Sequence, residues 1–198
     1  MSKKVLAVVA ALVLMSMTAC SKLDQTVVDA ANTAMNAAKS AQADLYAPAE
    51  FKAAQDKLAA TMAMAKEQDE KFVLFRSYTE VAKGYTEAQS MMAAAQTAGE
   101  AAKEAMKNEL MGMMTNVQMM LDSTGMMIDK APVGKGNKAE IELIKSSFEG
   151  VKNAFVEAGN AFNAGNYIDA KARLENVVTQ ATSIKTEIET AMAMKGGK

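Results

Sequence analysis

The chain of 198 residues contains no histidine, no tryptophan, one cysteine and two prolines. Without histidine and with a single thiol, it lacks the usual ligands of a zinc site and the Ser-His or Cys-His pairs of nucleophilic enzymes. It also lacks the side chain that most often transfers protons near neutral pH. We therefore predict that the protein is not an enzyme and that it has no catalytic residue, no cofactor and no metal site of the usual kind.

The beginning of the chain has the pattern of an export signal. Lys3 and Lys4 supply a basic start, and the apolar run that follows, Val5 to Met15, is too short to span a bilayer easily. Mostly small residues come next, and the only cysteine of the chain, Cys20, stands directly after them. We expect residues 1–19 to be removed as a signal peptide.

The end of this signal, Met17-Thr18-Ala19-Cys20, resembles the lipobox of bacterial lipoproteins, with Met17 in the place of the commoner leucine. The resemblance implies that a diacylglyceryl group alkylates the thiol of Cys20 and that the mature protein carries more than one acyl chain, such as palmitate. Ser21 follows the cysteine, which resembles an outer-membrane address in enteric-type sorting. We expect a lipid anchor at the periplasmic face of the outer membrane. The alternative, an exported chain without lipid, would leave an unpaired thiol in an oxidising compartment.

The charge balance argues against nucleic acid as a partner. The whole chain has 22 basic and 23 acidic residues, and removal of residues 1–19 takes away Lys3 and Lys4. The mature chain then has a net charge of about −3. Proteins that bind nucleic acid need a basic surface, so we expect no such partner.

Composition and periodicity predict an all-α fold, because residues with high helix propensity are plentiful and proline is rare. In three segments the apolar residues recur at alternating steps of four and three, as on one face of a helix. The stripes are Val27, Ala31, Ala34, Ala38, Ala41 and Leu45; Ile141, Ile144, Phe148, Val151, Phe155, Ala158 and Phe162; and Ala170, Leu174, Val177, Ala181, Ile184 and Ile188. A fourth apolar phase runs through Phe51, Ala54, Leu58, Met62, Ala65, Phe72 and Phe75.

These stripes predict a bundle of antiparallel helical hairpins, with about six helices after the signal peptide. Their approximate limits are residues 22–45, 48–68, 72–96, 98–130, 137–163 and 166–193. The stretch from 48 to 130 is ambiguous, because one very long helix would also fit. We favour turns at residues 68–71 and 97–99, since a compact bundle must fold back to bury its stripes.

Boundary residues support these limits. Pro48 suits the first position of a helix, and Gly165 suits the end of one helix just before Asn166 caps the next. A side-chain oxygen three residues before a glutamate is typical of a capping box. This pattern occurs in Thr97 with Glu100 and in Asn137 with Glu140, and more weakly in Asn166 with Asp169.

One flexible connection is obvious, the proline- and glycine-containing segment 131–137. It predicts a division into N-terminal helical hairpins, residues 20–130, and a C-terminal helical hairpin, residues 138–198. Residues 1–19 form the signal peptide, as above.

Two segments resemble known helical families. Ala164 to Ala170, with Leu174 following, is similar to the turn and second helix of a tetratricopeptide repeat, although the upstream helix lacks the tryptophan and Leu-Gly pair of that family. Tyr46-Ala47-Pro48-Ala49-Glu50, followed by Ala54 and Lys57-Leu58, resembles the start of a bacterial envelope family, domain of unknown function 4398. The second resemblance covers about residues 30–95. Together they imply helical hairpins in an exported protein and supply no catalytic residue.

Methionine is unusually frequent, with 18 in the whole chain. In one segment it contributes to a helical stripe, which we interpret as a soft bundle core. The stripe is Leu110, Met113, Val117, Met120, Thr124 and Met127, widened by Met114, Leu121 and Ile128. Met111, Met119 and Met126 lie off it. Two alternatives therefore stay open, a groove for another helix or peptide and a copper(I) site with thioether ligands.

The leading functional hypothesis is a non-enzymatic, lipid-anchored periplasmic module that binds an envelope protein or acts as an envelope scaffold. The alternative is a structural spacer between the outer membrane and peptidoglycan. It rests on the C-terminal run 194–198, which ends in Lys198. This end of the chain resembles that of the murein lipoprotein family, in which the terminal lysine is linked to peptidoglycan. An enzyme or a small-ligand carrier is a third hypothesis, which the missing chemistry disfavours.

Overall fold

The computed structural model of the protein describes residues 22–134 and 137–193. Within these ranges the chain is all α-helical and contains no strand, which confirms the predicted fold class. Six α-helices and one short 3₁₀ turn are present in the described residues. They are α1 (Gln25–Ser40), α2 (Ala43–Tyr46), α3 (Pro48–Glu70), the 3₁₀ turn (Val73–Phe75), α4 (Thr79–Lys130), α5 (Lys138–Asn163) and α6 (Tyr167–Ala193).

Contacts divide the chain into two compact units, and the division lies between Lys103 and Glu104, inside α4. We call the part up to Lys103 unit 1 and the part from Glu104 unit 2. The sequence placed a division at 131–137 instead. The described residues of that segment lie between α4 and α5 in unit 2. Proline and glycine are typical both of a turn between two helices of one unit and of a link between domains, so their presence does not distinguish the two.

Unit 1 packs α1, α3 and the first part of α4 around a core rich in alanine. Its buried apolar residues are Ala31, Ala38, Ala43, Phe51, Ala54, Leu58, Ala65, Tyr78, Val81, Tyr85, Ala88, Met92 and Ala95. Because most of these side chains are small, the helices approach closely. A Cβ built on Gly84 in α4 would lie 2.6 Å from the Oγ1 atom of Thr61 in α3.

The pairs of residues in contact define the direction of each helix in unit 1. Lys57 of α3 forms an ion pair with Glu87 of α4, and Thr61 lies against Gly84, so α3 and α4 are antiparallel. At the other end of unit 1, Ala43 lies against Gly99. Helix α1 ends beside that point and packs along the same core, so it runs in the same direction as α4.

Helix α1 is shorter than its stripe predicted. It ends at Ser40, and Gln42 adopts a left-handed conformation with φ of 58°. The side chain of Gln42 accepts a hydrogen bond of 2.7 Å from Lys103 Nζ, which holds this turn against α4. Leu45 therefore leaves the stripe, and about half of its surface is exposed. Its prediction as a core residue is wrong.

The turn predicted at 68–71 is confirmed, since α3 ends at Glu70, but the next helix begins at Thr79 rather than at 72. The turn predicted at 97–99 is wrong, because α4 continues through it. Thr97 donates a hydrogen bond from Oγ1 to Ala93 O inside the helix and so caps nothing. Gly99 instead allows close packing, since a Cβ there would lie 2.8 Å from Ala43 Cα.

Unit 2 packs the second part of α4 against α5 and α6. The predicted stripes of these helices form its core, as do Leu110, Val117, Leu121 and Ile128 of the methionine-rich segment. The remaining stripe methionines are half-buried against them: Met113, Met114, Met120 and Met127. This confirms the interpretation of the segment as a bundle core. Thr124 is also fully buried, and its hydroxyl has no hydrogen-bond partner among the described residues.

Of two predicted boundary residues in unit 2, the structure confirms Gly165 and contradicts Asn137. Gly165 ends α5 in a left-handed conformation, with φ of 77°, as predicted. Asn137 precedes α5, but its side chain does not cap the helix. Its Oδ1 accepts from Gly134 N at 2.7 Å and its Nδ2 donates to Pro132 O at 2.8 Å. The predicted capping box at Asn137 is therefore wrong, because the side chain holds the preceding loop together instead.

Candidate functional site

The loop between α3 and α4 presents four consecutive apolar side chains to solvent. Phe72, Val73, Leu74 and Phe75 are 66%, 50%, 80% and 75% exposed. We call these four residues the apolar tip. The backbone closes as a 3₁₀ turn through a hydrogen bond of 2.8 Å from Phe75 N to Phe72 O, and the rings of Phe72 and Phe75 are 6.3 Å apart. Isolated exposed apolar residues are ordinary, but a contiguous exposed patch marks an interaction surface.

Arg76 holds the apolar tip in shape from its base. Its Nε donates to Lys71 O at 2.9 Å, and its second terminal nitrogen donates to Asp69 O at 2.7 Å. These carbonyls belong to the end of α3, where helical partners run out. Ser77 N donates to Gln68 Oε1 at 3.1 Å, which ties the start of α4 to the same helix end. The tip is thus held by polar contacts while its own side chains contact solvent.

Tyr78 completes this support. Its hydroxyl donates a hydrogen bond to Asp69 Oδ1, while its ring belongs to the core of unit 1. The hydrogen bond to Asp69 stabilises the neutral phenol and raises the pKa of Tyr78 above its usual value. Burial raises the pKa of Tyr85, which lies about two helical turns after Tyr78 and in the same core. Both phenols are therefore neutral near pH 7 and serve as structural groups.

A second candidate site is an open groove of about 510 Å³ between α4 and α5 in unit 2. We call it the α4/α5 groove. Apolar side chains line it, and Met126 and Val156, both more than half exposed, stand at its edges. Charged groups are also present, and Lys152 Nζ lies 5.4 Å from the centre of the Phe148 ring. The full lining is Gln118, Leu121, Asp122, Gly125, Met126, Asp129, Phe148, Lys152, Phe155 and Val156.

The clearest ionic contacts of unit 2 join its helices. Arg173 of α6 pairs with Asp169 at 2.8 Å and with Glu157 of α5 at 2.9 Å, and these carboxylates raise the pKa of the guanidinium. Lys171 pairs with Glu109 of α4 at 2.8 Å, which raises the pKa of Lys171. Shifts of this direction keep each cation charged. The pairs with Glu157 and Glu109 therefore join α6 to α5 and to α4, whereas the pair with Asp169 lies within α6. None of these cations is an acid or base poised near neutral pH.

Cys20, the predicted lipidation site, and Lys198, on which the spacer alternative rests, lie outside the described residues. Met111, Met119 and Met126 lie on α4 and are more than half exposed, as expected for residues off the stripe.

Within residues 22–134 and 137–193, no three or more Asp, Glu, His or Cys side chains are grouped to hold a metal ion. None of the helices in those ranges is long and apolar enough to cross a membrane.

The apolar tip was not predicted from the sequence. The fourth apolar phase predicted from the sequence includes Met62, Phe72 and Phe75, but all three are exposed, so the prediction that they are buried is wrong. The residue buried at that turn of α3 is Thr61. The sequence does contain a feature that indicates exposure. Four consecutive apolar residues cannot lie on one face of a helix, so the run at 72–75 does not fit the helical period of the fourth apolar phase.

Comparison with protein-family models, curated proteins and solved structures finds no match to this chain.

Proposed function

We propose that the protein is a non-enzymatic helical module that is anchored in the bacterial cell envelope by lipid on Cys20 and that binds another envelope protein. The anchor is supported by the lipobox-like sequence and by Ser21 after it, which favour the periplasmic face of the outer membrane. The observation that carries the binding function is the α4/α5 groove of unit 2.

The groove has the chemistry of a site for a helix or an extended peptide. Its interior is formed by Leu121, Phe148 and Phe155, which supply apolar and aromatic contact. Met126 at the edge has an unbranched, polarizable side chain that adapts to differently shaped partners. Asp122, Asp129 and Lys152 surround the apolar part with both signs of charge. An apolar centre with a polar rim is the usual arrangement of a protein interface.

Site-specific photo-crosslinking in intact cells tests this function. A photoreactive residue at Val156, in the groove, should give a discrete adduct with one protein. The same residue at Ile168, which is exposed but outside the groove, is the matched control. Met126→Glu should remove the Val156 adduct without unfolding the chain, because Met126 is 57% exposed. Equal adducts from both positions, or an adduct that survives Met126→Glu, would contradict binding through the groove.

A further inference from the structure

We propose that the apolar tip, Phe72–Phe75, inserts into the same membrane leaflet that holds the lipid on Cys20. Unit 1 would then contact the bilayer at a second point in addition to its anchor. This inference rests on the lipid anchor of the proposed function. It is carried by the position of the tip relative to the N-terminal end of α1.

The tip and the beginning of α1 lie at the same end of unit 1. Helix α1 runs in the direction of α4, and both reach the opposite end of the unit near Gln42, whose side chain contacts Lys103. From that end, the 16 residues of α1 extend back by about 24 Å. Residues 79–103 of α4 extend back by about 37 Å. The tip precedes Thr79. It therefore projects beyond Gln25, the first residue of α1, at the end of unit 1 where α1 begins.

The chain between the anchor and α1 is long enough to bring both to one surface. Cys20 precedes Gln25 by five residues, which span at most about 17 Å when extended. Leu23 packs against the core of unit 1, so the chain is already held to the bundle just before α1. A bilayer that holds acyl chains on Cys20 is therefore within reach of the tip.

The chemistry of the tip favours lipid over a protein surface as the occupant. The four side chains protrude from a turn and point outward, and the apolar tip itself contains no charge. Such a convex shape suits a deformable acyl boundary, whereas protein hot spots fill preformed pockets. At its base, Lys71 and Arg76 are matched by Asp69 and Glu70. Insertion should therefore depend on apolar contact and only weakly on anionic lipid.

Tryptophan fluorescence can test insertion directly, because the natural chain contains no tryptophan. The full lipidated protein carrying Phe75→Trp is reconstituted in phosphatidylethanolamine/phosphatidylglycerol vesicles with brominated acyl chains, which quench nearby indole. The matched control is Leu45→Trp, which is also exposed and lies beyond the other end of α3, a helix of 23 residues and about 34 Å. We expect at least about twofold stronger quenching for Phe75→Trp, and loss of that excess when Leu74→Asp is added.

Equal quenching of the two tryptophans would overturn the proposal. So would a blue-shifted but unquenched Phe75→Trp, because it would place the tip against a protein or a second copy of the chain. The mass of the N-terminal peptide of the same sample shows separately whether Cys20 carries lipid. A modified Cys20 with an unquenched Phe75→Trp rejects the tip alone, whereas an unmodified Cys20 in protein purified from cell membranes rejects the anchor of the proposed function.

Discussion

At the scale of single residues, the core of unit 1 depends on the absence of side chains as much as on their presence. Alanine on α1 and α3 and glycine on α4 allow helix backbones to approach where larger residues would hold them apart. Gly84 and Gly112 lie in the same helix, α4, but only Gly84 faces another helix. The two glycines separate the effect of packing from that of helix propensity.

Gly84→Ala should destabilise the protein by about 1–2 kcal/mol, although alanine is the better helix former by about 1 kcal/mol. The added Cβ would lie 2.6 Å from Thr61 Oγ1 and 2.9 Å from Thr61 Cγ2, so both branches of this buried side chain are in its way. Urea denaturation of the mature chain from Ser21 measures the change in the free energy of unfolding.

Gly112→Ala is the control, because a Cβ there meets nothing within 4 Å, and it should stabilise by up to about 1 kcal/mol. The double variant Thr61→Ala with Gly84→Ala should lose less free energy of unfolding than the two single variants lose together, since the clash is then absent. Stabilisation by Gly84→Ala alone would show that α3 and α4 are not in close contact at this point.

At the scale of elements, the connection between α5 and α6 is a complete Schellman motif. Asn166 N donates to Ala161 O at 3.0 Å, and Gly165 N donates to Phe162 O at 2.9 Å. This pattern satisfies two carbonyls at the end of α5, and it requires the left-handed conformation that Gly165 adopts. The rings of Phe162 and Tyr167 then meet across the turn, 5.3 Å apart.

Gly165→Ala should therefore cost about 1 kcal/mol, because a Cβ is disfavoured at a φ of 77° even though nothing lies within 4 Å of it. Thermal unfolding followed by circular dichroism measures the loss. Gly150→Ala is the matched control in the middle of α5, where a Cβ also meets nothing, and it should stabilise. If both changes stabilise, the turn does not hold Gly165 in the left-handed conformation.

Some helices and turns could be predicted from the sequence and others could not, for physical reasons. The α5 and α6 stripes were placed correctly, because their large apolar residues at a helical period have one way to be buried. The end of α5 was predictable from Gly165, since few residues tolerate that backbone. The helix break at Gln42 was not, because alanine stripes continue across it and its hydrogen bond comes from Lys103, distant in sequence. Gly99 was read as a turn, although glycine also serves close packing.

The two candidate sites show the same contrast. The methionines off the stripe, including Met126 at the edge of the α4/α5 groove, could be predicted as exposed from helical period alone. The rest of the groove depends on how α4 and α5 pack, which the period of each helix does not specify. The exposure of the apolar tip was not predicted, because its four residues are of types that are usually buried in a core. The hydrogen bonds of Arg76, Ser77 and Tyr78 at its base show how four apolar side chains remain exposed.

At the scale of the whole molecule, the attachment to the membrane that we propose is the lipid on Cys20. A lipid anchor with more than one acyl chain holds a protein stably, since each buried methylene contributes roughly 0.8 kcal/mol. The apolar tip is much smaller, so by itself it should give only weak and reversible contact. The proposals thus assign retention to Cys20 and orientation of unit 1 to the tip.

Replacement of residues 1–20 by a plain cleavable export signal, so that the mature chain begins at Ser21, should release the protein from membranes. The natural form should stay with the membrane through a high-salt wash and dissolve only in detergent, because its acyl chains remain buried. The exported form without Cys20 should appear in the soluble periplasmic fraction, since contact through the tip alone would not survive washing. Both forms retain residues 22–193 unchanged, so immunoblotting of each fraction compares anchoring alone. Retention of the form without Cys20 through the same wash would show that another segment holds the protein, and the division of roles between Cys20 and the tip would be wrong.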